Sequence, residues 1–136
     1  MSFDIKPSKY WYILQKVWIK TLKAKNTFKI LIVGDIDIND TNQQLSDLSK
    51  ALELIPLKIS VSLKPHPATN INDIDINILK VSIVYDKLDH LFNQNNLILC
   101  SSNSSSAVEA YYLNLPLAIY LNQNTLNLSP LKNFFD

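Results

Sequence analysis

LILCSSNSSSAVEAYYLNLPLAIYL, spanning Leu97 to Leu121, holds a whole structural repeat in one short stretch. Leu97–Cys100 is an apolar run bounded by polar residues and reads as a buried strand. Six polar residues follow, Ser101, Ser102, Asn103, Ser104, Ser105 and Ser106. A helical run occupies Ala107 to Leu113, Pro116 stops it, and Leu117–Tyr120 reads as a second buried strand. Strand, turn, helix and strand in this order make the crossover unit of a parallel α/β sheet.

The turn concentrates hydroxyls and backbone N–H groups at a helix N-terminus. Unpaired N–H groups and the positive end of the helix dipole suit such a place to an anion. The same residues also serve as plain helix caps, a role Ser and Asn favour on local grounds. Ser106 and Glu109 match the S-x-x-E capping box, which would occupy the Glu109 carboxylate. A second polar cluster, Lys64-Pro65-His66-Pro67, also comes directly after a strand and supports the anion reading.

Composition narrows the classes. A chain of 136 residues, 47% hydrophobic and 18% charged, suffices for one compact domain with a real core. The formal charge of +1 shows no basic stripe of the kind nucleic-acid binders carry. Cys100 is the only cysteine, so no disulfide forms within the chain, and its place in an apolar strand makes it a small core residue. No apolar run approaches the roughly 18 residues of a membrane span. No signal-peptide pattern opens the sequence, so the expected compartment is the cytoplasm. There is one glycine, and Asn is expected at turn positions that Gly usually fills.

Residues 1–25 read as a polar leader, an amphipathic helix and a connector. The helix runs from Tyr10 to Lys23, with Trp11, Leu14, Trp18 and Leu22 on one face and Lys16, Lys20 and Lys23 on the other. It suits packing on a domain, and a basic helix with two tryptophans also permits peripheral membrane contact. Residues 26–121 form the expected α/β domain. Phe28–Val33 is its first strand and ends in Gly34-Asp35, where the glycine implies close backbone approach or positive φ. The dinucleotide fingerprint G-x-G-x-x-G is absent. Asp35 and Asp37 raise the idea of a phospho-receiver or a metal site, but the Lys a receiver carries after its last strand is missing, and both read mainly as solvated loop residues, with ligand contact as the lesser alternative.

Thr41-x-x-Gln44 matches a capping box, and Leu45, Leu48, Leu52 and Ile55 give the following helix an apolar face up to Pro56. Lys58–Leu63 is the second strand, and the prolines beyond it hold Lys64 and His66 in an extended segment. Ala68–Ile78 reads as an irregular loop, Val81–Tyr85 as the third strand, and Lys87–Asn93 as a short helix capped by Asp86. His90 falls on that helix and reads as a surface residue. Residues 122–136 form a tail.

The expected architecture is a Rossmann-like, doubly wound parallel sheet of about five strands in order 3-2-1-4-5, with an extra N-terminal helix. Ligands in such sheets bind beyond the carboxyl ends of the strands, where strand order reverses. Gly34, the Lys64–Pro67 segment and the Ser101–Ser106 turn would then lie along one edge.

K-P-H-P after a strand, then S-S-x-S-S-S-A-x-E-A and x-L-P-L-A-I-Y, resembles the C-terminal half of GT-B glycosyltransferases. The similarity is to bacterial enzymes of surface-carbohydrate and capsule biosynthesis: the polysialyltransferase-like, Kdo-transferase-like and CDP-glycerol glycerophosphotransferase-like groups. It covers roughly Phe28 to Leu121, and Ser129-Pro130-Leu131 extends it. The resemblance implies a nucleotide-sugar donor, CMP- or CDP-linked, as the ligand. It implies phosphate contacts from His66, with Lys64 in support, and from Ser104, Ser105 and Ser106, and ribose contacts from Glu109. Gly34 falls at the same edge, and His66 would also act as general acid on the leaving phosphate. No metal and no further cofactor is implied. The sequence departs from the family pattern at Asn114, where a glycine is usual. Such enzymes carry an N-terminal Rossmann-like half with the acceptor site, which this chain has no room for. The expectation is therefore a donor-binding half that transfers nothing by itself. A non-catalytic α/β interaction domain with the same fold is the other reading.

Overall fold

A computed structural model of the chain describes residues 27–102 and 104–121. The helix expected over Tyr10–Lys23 and the tail over 122–136 lie outside the described residues, as does Asn103. Among the described residues five strands are present: β1 (Phe28–Val33), β2 (Ile59–Lys64), β3 (Ser82–Ile83), β4 (Leu97–Ser101) and β5 (Leu117–Tyr120). Three α-helices among the described residues connect them: α1 (Ile38–Glu53), α2 (Leu88–Gln94) and α3 (Ser105–Tyr112). All pairings are parallel and the strand order is β3-β2-β1-β4-β5, the order expected from the sequence. The chain thus has a Rossmann-like α/β fold.

A central parallel strand is covered on both faces, which is why β1 and β4 are continuous apolar runs rather than alternating ones. Phe28, Ile30 and Ile32 of β1 pack with Leu45 and Leu48 of α1 on one face. Leu31 and Val33 point the other way, against Leu91 and Phe92 of α2 and Ala107 and Ala110 of α3. Leu31 and Ile32, adjacent in sequence, are both fully buried on opposite faces. Each such side chain contributes about 1.5–3 kcal/mol by leaving water. Cys100 is buried and free, and His90 is exposed, both as expected.

Helix ends show where local sequence rules held and where they did not. Asn114 takes a left-handed φ of 55° just past α3. Its N–H donates to the Tyr111 carbonyl at 3.0 Å and that of Leu115 donates to Ala110 at 3.1 Å, a Schellman end in which Asn replaces the usual Gly. The start of α1 differs from expectation. Its N-cap is Asp37, whose side chain accepts from Asn39 N at 2.9 Å. Thr41 therefore lies inside the first turn, and its hydroxyl is engaged with Asp35 instead of capping. α2 starts after Lys87 with no side-chain cap among the described residues, so Asp86 does not fill the role assigned to it.

β3 is two residues long, shorter than the expected Val81–Tyr85. The segment before it is a loop, as expected, with one short regular turn inside it. A 3₁₀ turn spans Ile71–Asp73, capped by Asn70. Asn42 of α1 grips the same segment by both ends of its amide, donating to Asp73 O at 3.1 Å and accepting from Asp75 N at 2.9 Å. Ile74 is thereby drawn into the core. Among the described residues no helix is long and apolar enough to cross a membrane.

Candidate functional site

The sheet register fixes what meets at its carboxyl edge. Val33 pairs with Lys64 on one side and with Cys100 on the other. Lys64 and Cys100 are thus two strand spacings apart, about 10 Å, with β1 between them. The His66 segment and the serine turn rise from this one row on either side of Gly34-Asp35. The gap between β1 and β4 is where strand order reverses, and the connections after these strands leave on opposite faces of the sheet.

Gly34 is the floor of this region. Its N–H donates to Lys64 O at 2.8 Å. A Cβ here would lie 3.2 Å from Lys64 O and 3.3 Å from His66 N. Its φ is not positive, so close approach of two backbones, and not left-handed geometry, explains the residue.

The Lys64–Pro67 segment is folded onto itself and onto its neighbour. His66 Nδ1 accepts from Ala68 N at 3.1 Å, and its carbonyl accepts from Thr69 N at 2.9 Å. With Nδ1 accepting, the neutral ring carries its proton on Nε2, which leaves one N–H donor to offer a ligand. Lys64 is turned toward β3. Its Nζ donates to Asp86 O at 2.8 Å and to Tyr85 O at 3.4 Å, so its charge is anchored to one side of the crevice.

The serine turn is built by its own caps. Ser104 N donates to Ser101 O at 3.2 Å, which closes the chain out of β4. Ser104 is the N-cap of α3, and its hydroxyl accepts from Ser106 N at 3.3 Å. Ser105 is exposed at the first helical position and Ser106 is half-buried. Ser106 is therefore not the cap, and the Ser106–Glu109 box is not formed. The Glu109 carboxylate is exposed, with no hydrogen bond among the described residues, so helix capping does not occupy it. Below the turn, burial pushes the Cys100 thiol up to about 12, against a smaller lowering by its hydrogen bond with Ser104. This sulfur stays a thiol at neutral pH.

Sequence reasoning missed Asp35. It is 6% exposed, not a solvated loop residue. Its Oδ1 accepts from Asp37 N at 3.0 Å and its Oδ2 accepts from the Ser101 hydroxyl. Its own N–H donates to Thr41 Oγ1 at 2.9 Å, and its carbonyl accepts from Thr69 Oγ1 at 3.3 Å. A carboxylate that follows the first strand and faces a serine at the end of the fourth was the only available signal. It becomes readable once the strand order is known.

The structure thus brings Gly34, His66 and the Ser104–Ser106 turn to one edge, with Lys64 beside them and Glu109 on the exposed surface of α3. Among the described residues no group of three His, Cys, Asp or Glu side chains could hold a metal ion. An open groove of about 560 Å³ is lined by the 71–77 segment and Ile83, and includes none of these residues. Comparison with family models, with curated proteins and with solved structures found no match.

Proposed function

We propose that this domain binds the nucleotide portion of a nucleotide-linked sugar, as the donor half of a glycosyltransferase of surface-polysaccharide biosynthesis. One observation carries the reading. The register that pairs Val33 with both Lys64 and Cys100 sets a histidine N–H donor and a serine-capped helix N-terminus on either side of the switch point. The motif resemblance of these two segments gives the ligand its class, CMP- or CDP-linked.

In this reading the Ser105 backbone N–H and the hydroxyls of Ser105 and Ser106 hold the phosphate from one side, and His66 Nε2–H holds it from the other. Ser104 shapes the turn. Lys64 adds positive potential from its fixed position, and Glu109 accepts from the ribose hydroxyls. Glycosyl transfer places negative charge on the leaving phosphate, and donors that are already in place stabilise that charge without reorganising. The Nε2 proton of His66 is also the one a general acid would pass to the leaving oxygen. The acceptor site and the base belong to a second Rossmann-like half, so the domain binds donor and transfers nothing alone.

The test is a titration of CMP, CDP and UDP into the chain, followed by amide and imidazole NMR shifts. Selective shifts at His66 and at Ser104–Ser106 with one nucleotide, weakened in His66→Ala and Ser105→Ala variants that keep the fold, support the reading. No shift up to about 1 mM nucleotide, a binding free energy weaker than about −4 kcal/mol, counts against it. A second reading, a non-catalytic interaction domain, draws on Asp35. A buried carboxylate next to the serine turn repels an approaching phosphate, and the null titration is the outcome that favours this reading.

A further inference from the structure

Asp35 is hydrogen-bonded to the connection after β2, to the last residue of β4 and to the start of α1. On one side its carbonyl accepts from the Thr69 hydroxyl, and Thr69 N–H in turn donates to the His66 carbonyl. On the other side its Oδ2 accepts from the Ser101 hydroxyl, and Ser101 O accepts from the N–H of Ser104, the cap of α3. Oδ1 holds Asp37 N, and Thr41 Oγ1 holds Asp35 N, so α1 is tied to the same residue. The path His66–Thr69–Asp35–Ser101–Ser104 is continuous. It crosses the crevice between two segments that are not neighbours in the sheet.

We propose that Asp35 is a positioning residue that locks the His66 segment and the serine turn into one unit. This rests on the donor-binding reading for its functional meaning, but the coupling itself does not require it. Both carboxylate oxygens are engaged by donors, one from each connection that leaves the switch point. The carboxylate is buried, so the loss of one partner leaves it short of a hydrogen bond, and the loop must move to restore the bond. Ser101 is the lever on this carboxylate, and Thr69 is the lever on the main-chain carbonyl of the same residue. Ser102 is the internal control: it is equally buried at 4% exposure, yet makes no hydrogen bond to Asp35 among the described residues.

The experiment has a ligand-free arm and a titration arm. Without ligand, Ser101→Ala should move the Thr69 amide and His66 ring resonances across the crevice. Thr69→Val should move the Ser104 and Ser106 amides in the reverse direction, and Ser102→Ala should move neither set. If Ser101→Ala perturbs Thr69 and His66 no more than Ser102→Ala does, the proposal is overturned, whatever the nucleotide result. In the titration arm, CMP affinity should fall about tenfold or more in Ser101→Ala, as expected when a charge-assisted hydrogen bond that sets geometry is lost. Unchanged CMP affinity in folded Ser101→Ala and Thr69→Val also overturns it. If the parent chain binds none of the nucleotides, the donor-binding reading falls, and the ligand-free shifts still decide the coupling.

Discussion

Gly34→Ala tests the packing at the floor of the crevice, because two effects of opposite sign compete there. Its φ is not in the left-handed region, so alanine is free of backbone strain and restricts the unfolded chain. That alone stabilises by about 0.4–1 kcal/mol. Against this, the new Cβ meets Lys64 O at 3.2 Å, His66 N at 3.3 Å and Pro65 Cα at 3.4 Å. All three are backbone atoms of a segment stiffened by two prolines, and favourable contacts need roughly 3.5–4.0 Å. Forcing a methyl into such a place costs about 1–3 kcal/mol. The crowding outweighs the entropic gain, and the net loss is about 1–2 kcal/mol. For a domain of this size that lowers Tm by roughly 5–15 °C. Urea denaturation of the full chain, followed by circular dichroism, should show a lower midpoint at unchanged slope. The His66 and Thr69 amides should shift, since the methyl pushes on that backbone. A Gly34→Ala chain as stable as its parent would refute the close approach of the two backbones as the reason for glycine here.

Three further outcomes follow from buried groups and helix ends. Stability should fall as pH rises above about 9, since burial raises the Cys100 thiol from 9.0 to about 12. Tyr120 is also raised, first by burial and then by its hydrogen bond with Asp47 and the charges of Asp47 and Asp40. Both groups hold their protons more tightly when folded, so the contribution is complete below the unfolded values and lost above them. Thermal melts across this range should fall less steeply in Cys100→Ala, and an equally steep fall would reject burial of the thiol as a cause. Asn114→Ala should lose about 1 kcal/mol, the usual left-handed penalty, whereas Asn114→Gly should match or exceed the parent in Tm. Gln44 is fully buried and neither end of its amide has a hydrogen-bond partner among the described residues. Gln44→Met should therefore raise stability by about 1–3 kcal/mol, and a drop in Tm would reveal a partner for the amide.

The strands were legible because burial on both faces leaves an unbroken apolar run, and Phe28–Val33 and Leu117–Tyr120 stand at the expected residues. The strand order was assumed from the limits that right-handed crossovers set, and it was also correct. What failed was local pattern matching among equivalent candidates. Three consecutive serines can each cap a helix, and the end of β4 selects Ser104. Thr41 matched a capping box, but Asp37 is placed four residues earlier and takes the role. The short turn inside the 70–77 loop was not legible because the segment is held by Asn42, a helix residue some thirty positions earlier. Asp35 was misread for the same reason, since its partner Ser101 is 66 residues away.

The pairing of β1 with both β2 and β4 has a kinetic consequence. The β1–β2 pair closes a loop of about thirty residues, whereas β1–β4 contacts such as Lys29 N to Asn96 Oδ1 span 67. Longer closure costs more chain entropy before any contact offsets it, and parallel sheets with such distant pairings fold slowly. Half of the sheet can form without a crevice, because the crevice exists only after β4 has docked on β1. A nucleotide that binds there would therefore recognise the finished domain and no earlier species on the folding route.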